Sequence, residues 1–227
     1  MSLISVEHLT FAYPGSYDPV FEDASFRMDT DWRLGLVGRN GRGKTTLLRL
    51  LRGEFPYEGR ITASVRFDYF PSPVAEPSRR TEDVLRAVCP EAEDWRLERE
   101  LSLLDVDPGA LARPFNTLSG GEQTKTLLAA LFLNEGRFLL VDEPTNHLDA
   151  AARETVAAYL RRKSGFILVS HDRQMLDACV DHILSINRAT IEVTSGGYSA
   201  WRQRFERRQA FEKTQNEKLK GEIAHMQ

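Results

Sequence analysis

The stretch from Arg33 to Leu51 constrains the fold more than any other. After its first residue, RLGLVG (33–38) is a short apolar run with no polar face, the pattern of a strand buried on both sides. It passes directly into GRNGRGKT, Gly38 to Thr45. That loop in turn opens KTTLLRLLRG, whose apolar residues recur at helical spacing up to a closing Gly53. A strand buried on both faces needs helices to cover it, so a strand, a glycine-rich turn and a helix in immediate succession point to an α/β architecture.

The rest of the chain extends this pattern. RFLLVD and GFILVS are further buried-type strands, each followed by a helical pattern. ISVEHLTFAY and FEDASFRMD alternate apolar and polar residues like half-exposed antiparallel strands. GRITASVRFDYF reads as one or two strands, and HILSINRATIEVTSG as a closing hairpin. Between about 78 and 133 the spacing is helical throughout, as in an inserted helical subdomain. The expected fold is therefore α/β, with a mostly parallel core sheet, an N-terminal antiparallel β-subdomain and an inserted α-helical subdomain.

The glycine-rich loop fits G-x-x-x-x-G-K-[ST] in the strand-to-helix context which that P-loop motif requires. Its residues Gly38, Arg39, Asn40, Gly41, Arg42, Gly43, Lys44, Thr45 and Thr46 are the candidate nucleotide cradle. The glycines let backbone N–H groups converge on phosphate oxygens, and the helix N-terminus adds partial positive charge. Lys44 would reach the β- and γ-phosphates, and the Thr45 hydroxyl would sit on Mg²⁺. FLLVDEPTNHLD (138–149) ends an apolar run on two adjacent carboxylates, Asp142 and Glu143, before Pro144 stops it. Asp142 suits a partner of the Mg²⁺, and Glu143 is then free to orient or deprotonate a water. Two like charges side by side are tolerable where a bound Mg²⁺ dominates the local field. In NTLSGGEQTK, Ser119 and Glu122 form a capping box, which is a sufficient structural reason for both. The glycines behind the cap, Gly120 and Gly121, weaken a helix and so suggest close approach at its N-terminus. A phosphate held by another domain is one candidate for what approaches.

GRNGRGKTT, LSGGEQ, LLVDEP, NHLD and SHD occur here in the order seen in ATP-binding-cassette (ABC) ATPases. The chain resembles that family across essentially residues 1–196. The resemblance implies that Ser119, Gly120, Gly121 and Glu122 meet the γ-phosphate of ATP held by a partner cassette, that Asp149 lies at the dimer seam, and that His171 reads the γ-phosphate. An aromatic near the start would stack on adenine; Tyr13 is the first choice, with Tyr17 and Phe11 as alternatives. One position departs from the pattern. The family usually has a metal-contacting glutamine after this strand, and RFDYFPSP offers Ser72 instead.

EPTNHLD and SHDRQMLD look like the ABC-F branch, whose members carry two cassettes in one chain and act on ribosomes. The tail from Tyr198 reads as one long helix, with Trp201, Phe205, Leu219, Ile223 and Met226 at helical spacings. Its seven basic residues (Arg202, Arg204, Arg207, Arg208, Lys213, Lys218, Lys220) against four Glu give +3, so the remainder of the −3 chain is −6. In ABC-F proteins this position opens a linker that reaches toward tRNA and rRNA. The bland alternative is a solvated charged helix. No stop signal precedes Gln227, so continuation into a second cassette is expected.

Composition narrows the remaining classes. The 227 residues, 41% hydrophobic and 28% charged, suit a soluble globular protein, and no apolar run is long enough to cross a bilayer. The start lacks the basic and apolar regions of an export signal, and Cys89 and Cys179 lack metal-ligand spacing, so a cytoplasmic site is expected. Net charge argues against wholesale nucleic-acid binding by the cassette but permits a local basic patch. The expectation is a MgATP-hydrolysing cassette working as a dimer, from an ABC-F translation or antibiotic-resistance factor. The alternative is the ATP-binding subunit of a membrane transporter, which would dock on a permease. A non-hydrolysing ATP-gated scaffold is disfavoured because Glu143 is present.

Overall fold

In a computed structural model, which describes residues 2–187 and 190–225, the apolar runs become the strands of a six-stranded sheet. The order is β5 (Arg66–Phe70), β6 (Arg137–Asp142), β7 (Phe166–Val169), β3 (Arg33–Gly38), β8 (His182–Asn187) and β9 (Thr190–Ser195). All neighbours are parallel except β8 and β9, which form the expected hairpin. A separate antiparallel sheet holds β2 (Phe21–Asp29), β1 (Leu3–Phe11) and β4 (Glu58–Thr62) in that order.

The core is double because the central strands bury both faces. Leu34, Leu36, Phe138, Leu140, Ile167 and Val169 point toward the three-stranded sheet and α1 (Lys44–Leu51). Val37, Leu139, Val141, Phe166 and Leu168 point the other way, into the cluster built with the remaining helices. Those are α2 (Thr81–Val88), α3 (Asp94–Leu103), α4 (Gly120–Leu131), α5 (Ala150–Arg161) and α6 (Arg173–Cys179). The stretch between β5 and β6 is helical, with two 3-10 turns at Pro108–Ala112 and Phe115–Thr117. Both cysteines are free and buried, and each thiol donates to a carbonyl one helical turn back.

The tail forms α7 (Tyr198–His225). Met226 lies outside the described residues, as do the side chains of Lys218, Leu219, Lys220 and Ile223. The start of α7 is tied to α6, because the Asp177 carboxylate accepts from Ser199 N at 2.6 Å and from the Ser199 hydroxyl. No described helix is long and apolar enough to cross a membrane.

Candidate nucleotide site

Parallel pairing of β6, β7 and β3 brings the loops at their carboxyl ends to one edge of the sheet, the usual place for a site in a sheet of this kind. The loop after β3 turns on Gly41 (φ 76°) and Gly43 (φ 91°), a region that L side chains rarely enter. Space forbids a side chain at Gly43 as well, since a Cβ there would lie 2.6 Å from Val20 Cγ1 and 2.9 Å from Phe21 Cζ. No side chain caps α1, so its leading N–H groups face the loop without a side-chain acceptor. Lys44 Nζ donates to Gly38 O at 2.9 Å and approaches Asn40 Oδ1 at 3.4 Å, which holds the ammonium inside the cradle. Burial pulls its pKa below the usual lysine value, opposed by the carboxylates of Glu143 and Asp142. Arg39 and Arg42 are exposed, and their guanidinium groups have no partner among the described residues.

The structure brings the two carboxylates to this cradle. Thr45 Oγ1 lies 3.4 Å from Asp142 Oδ2, closing a gap of 97 residues in sequence. These are hard oxygen donors, and two of them suit an ion such as Mg²⁺ that takes its other ligands from phosphate and water. Among the described residues, no cluster of three or more His, Cys, Asp or Glu could hold a metal unaided. Glu143 has φ 51°, an uncommon conformation for a residue with a side chain. Its Oε2 accepts from the His171 backbone N–H at 3.3 Å. Its buried Oε1 has no hydrogen-bond partner, although His171 Nε2 stands 3.4 Å away. Burial raises the Glu143 pKa above the usual carboxylate range, and the His171 backbone N–H opposes that shift.

Of the three aromatic candidates, Tyr13 bonds to the P-loop helix, its hydroxyl lying 2.8 Å from Thr46 Oγ1. Its ring meets Phe11 and Phe55 edge-on. Phe11 is buried in the core and Tyr17 is fully exposed.

The LSGGEQ segment, 118–123, is closed on itself. Ser119 caps α4, with Glu122 N donating to Ser119 Oγ at 3.2 Å and Ser119 N donating to Glu122 Oε2 at 2.8 Å. Arg113 holds the other Glu122 oxygen at 2.6 Å. These bonds, the Ser119 N–H first, lower the Glu122 pKa. Gly120 has a steric explanation within the chain that its position in the sequence did not reveal, whereas a side chain at Gly121 would make only ordinary contacts. A Cβ on Gly120 would lie 2.9 Å from His147 Cβ, and one on Gly121 would lie 3.6 Å from Leu148 Cδ2. Asp149 caps α5 by accepting from Ala152 N at 2.8 Å.

Tyr69 belongs to no sequence motif, yet its hydroxyl donates to Asp142 Oδ2 at 2.9 Å. Burial and the neighbouring carboxylate push its pKa up to about 12. The only local signal was an aromatic in RFDYF, which reads equally well as packing. Ser72 lies just beyond that strand and makes no hydrogen bond among the described residues. A groove of about 890 Å³ runs from Arg42, Lys44 and His171 along β8 and β9 to Trp201 and Phe205 of α7. Three of the helix arginines are engaged within the chain: Arg202 donates to Glu206 at 2.7 Å and to the Tyr198 hydroxyl at 3.1 Å, Arg204 donates to Ser195 O at 2.8 Å, and Arg208 pairs with Glu192 at 3.2 Å. Arg207 is exposed and has no partner among the described residues.

The chain is similar to known proteins in sequence and in fold. The family model described as ABC transporter matches residues 21–146. ABC transporter F family member 5 of Arabidopsis thaliana is 30% identical over 206 residues, covering 87% of this chain and 30% of its own length. F family members 2 and 3 of that plant match at 28% and 29%. The chain thus spans about a third of the length of these relatives. Among solved structures, a bacterial Atm1-family ABC exporter with ATP bound superposes with TM-score 0.73 at 18% identity, over 89% of this chain and 40% of the exporter chain. An inward-facing transporter described as metal-chelate type gives 0.68 at 24%, over 86% of this chain and 84% of its own. These two likenesses establish the fold. With the family model covering more than half of its residues, the chain belongs to the ATP-binding domains of the ABC transporter family, which hydrolyse ATP.

Proposed function

We propose that residues 1–196 form a MgATP-hydrolysing cassette of the ABC-F kind, with 78–133 as its helical subdomain. Residues 197–227 open a linker toward a second cassette, and the protein acts on ribosomes as a translation or antibiotic-resistance factor in the cytoplasm. The observation that carries the hydrolytic reading is the convergence of Lys44, Thr45, Asp142, Glu143 and His171 at one edge of the sheet.

The chemistry follows from their positions. Lys44 and the P-loop N–H groups from Gly38 to Thr46 bind the β- and γ-phosphates, with Arg39, Asn40 and Arg42 around them. Tyr13 stacks on adenine. Thr45 and Asp142 hold Mg²⁺, which when bound neutralises charge on the phosphates. Glu143 accepts a proton from the attacking water through its unpartnered Oε1. The water oxygen bonds to the γ-phosphorus, the bond to the bridging oxygen breaks, and ADP leaves with the electron pair. His171 senses the γ-phosphate while its backbone holds Glu143. Ser119, Gly120, Gly121 and Glu122 face the ATP of the partner cassette across a seam that includes Asp149.

Two observations support the ABC-F reading over the transporter one. The relatives above carry the F family name. In addition, α7 walls the groove that opens on the P-loop and His171 and is pinned to α6, so closure on ATP can move it.

The test uses the intact protein with Glu143→Gln. In ATP it should co-sediment with ribosomes, and rising salt should weaken that binding as counterions return to phosphates. Arg207→Glu should weaken it further while sparing ATP affinity; Arg204 and Arg208 are less clean probes because they also hold β9. Recovery with a membrane permease, and no ribosome binding, would give the transporter reading.

A further inference from the structure

We propose that Tyr69 is a positioning residue for the metal site: its hydroxyl holds Asp142 Oδ2 and so sets how that carboxylate meets Mg²⁺. The inference rests on the reading that Thr45 and Asp142 hold the ion. Three observations support it. At 2.9 Å, the Tyr69 hydroxyl is a closer donor to Oδ2 than Thr45, which lies at 3.4 Å. The donor is carried on β5, paired in parallel along β6 from Arg66↔Arg137 to Phe70↔Val141, so its backbone is fixed relative to the strand that ends in Asp142. The ring is also gripped from behind. The Arg52 guanidinium sits 4.8 Å from its centroid, and Arg52 is itself ion-paired with Glu54.

Arg52 is the C-cap of the helix that begins at Lys44. This helix therefore reaches Asp142 twice, directly through Thr45 in its first turn and through Arg52 and the Tyr69 ring behind its last. A carboxylate held from two sides keeps one orientation, whereas one held by a single long contact can rotate. Ser72, three residues on, makes no hydrogen bond that would do the same work. Loss of a hydrogen-bonding partner behind a ligating carboxylate typically weakens metal affinity by about 10–100-fold.

The test compares wild type, Tyr69→Phe and Asp142→Asn in the intact protein, with Mn²⁺ as the probe. ATP affinity in EDTA is measured first, then Mn²⁺ affinity of the protein–ATP complex by electron paramagnetic resonance, then kcat and KM. Tyr69→Phe should keep ATP affinity in EDTA within about twofold and bind Mn²⁺ about 10–100-fold more weakly. It should also lose kcat with little change in KM, and raising Mg²⁺ should recover turnover. Wild-type Mn²⁺ affinity in Tyr69→Phe, with Asp142→Asn impaired, overturns the role of Tyr69 alone. Loss of ATP affinity in EDTA also overturns it, because the hydroxyl then supports the loop rather than the metal. Unchanged Mn²⁺ affinity in Asp142→Asn overturns both this proposal and the reading beneath it.

Discussion

At the P-loop, Thr45 meets Asp142 across 97 residues of sequence, and Glu143 keeps a buried oxygen with no hydrogen-bond partner. At the start of α4, Ser119 and Glu122 satisfy each other three residues apart, Arg113 takes the remaining carboxylate oxygen, and His147 fills the space beside Gly120. The first region is assembled by the tertiary fold and leaves a polar atom poised for a ligand. The second is a locally closed cap that is sound structure whatever it touches. The contrast explains why the chemistry proposed at the P-loop end can be derived within this one chain, while the role proposed for Ser119 and Gly120 needs a partner.

The largest expected effect lies at the first region. Glu143→Gln should lower hydrolysis by at least about 100-fold, the scale of a general base, with ATP affinity kept within about twofold. Single-turnover and binding assays check this, and wild-type turnover would end the assignment of the base.

Ser119→Asp puts the comparison itself at risk. Aspartate caps a helix as well as serine, so stability should change by less than about 0.5 kcal/mol. The added charge would face the partner's phosphate, and hydrolysis by the intact protein should fall by about tenfold or more, roughly 1.4 kcal/mol of barrier. Unchanged hydrolysis would leave Ser119 a cap and nothing else.

Glu122→Ala sharpens the same point through stability. It removes a charge-assisted bond at a partly exposed helix end and should cost about 1 kcal/mol at neutral pH in urea denaturation. The folded pKa of Glu122 is depressed, so its contribution is present above the ordinary value of 4.5 and is lost as pH falls through the lower folded value. The gap between wild type and variant should therefore close on acidification below 4.5. A gap that persists there would mean that the carboxylate charge is not what stabilises the cap.

The smallest effect is expected at Ser72, which makes no hydrogen bond among the described residues. Ser72→Ala should change hydrolysis less than threefold, under about 0.7 kcal/mol. A hundredfold loss would place Ser72 at the metal after all.

Some of this architecture could be read directly from the residues, because its causes are local. Gly41 and Gly43 serve backbone angles that few other residues adopt, and the strand and helix on either side of them follow from the spacing of apolar residues. The capping box at Ser119 and the hairpin of β8 and β9 are short-range in the same way. Tertiary structure decided the rest. Apolar runs say that β3, β6 and β7 are buried but not that β7 lies between the other two, because strand order depends on crossovers that periodicity does not encode. The Tyr69 hydroxyl on Asp142, the Tyr13 hydroxyl on Thr46 and the approach of His147 to Gly120 are pairings between segments far apart in the chain. Each involves a residue whose type fits core packing or a solvated loop equally well. Periodicity records how deeply a residue is buried; which partner it meets is settled only when the whole chain closes around it.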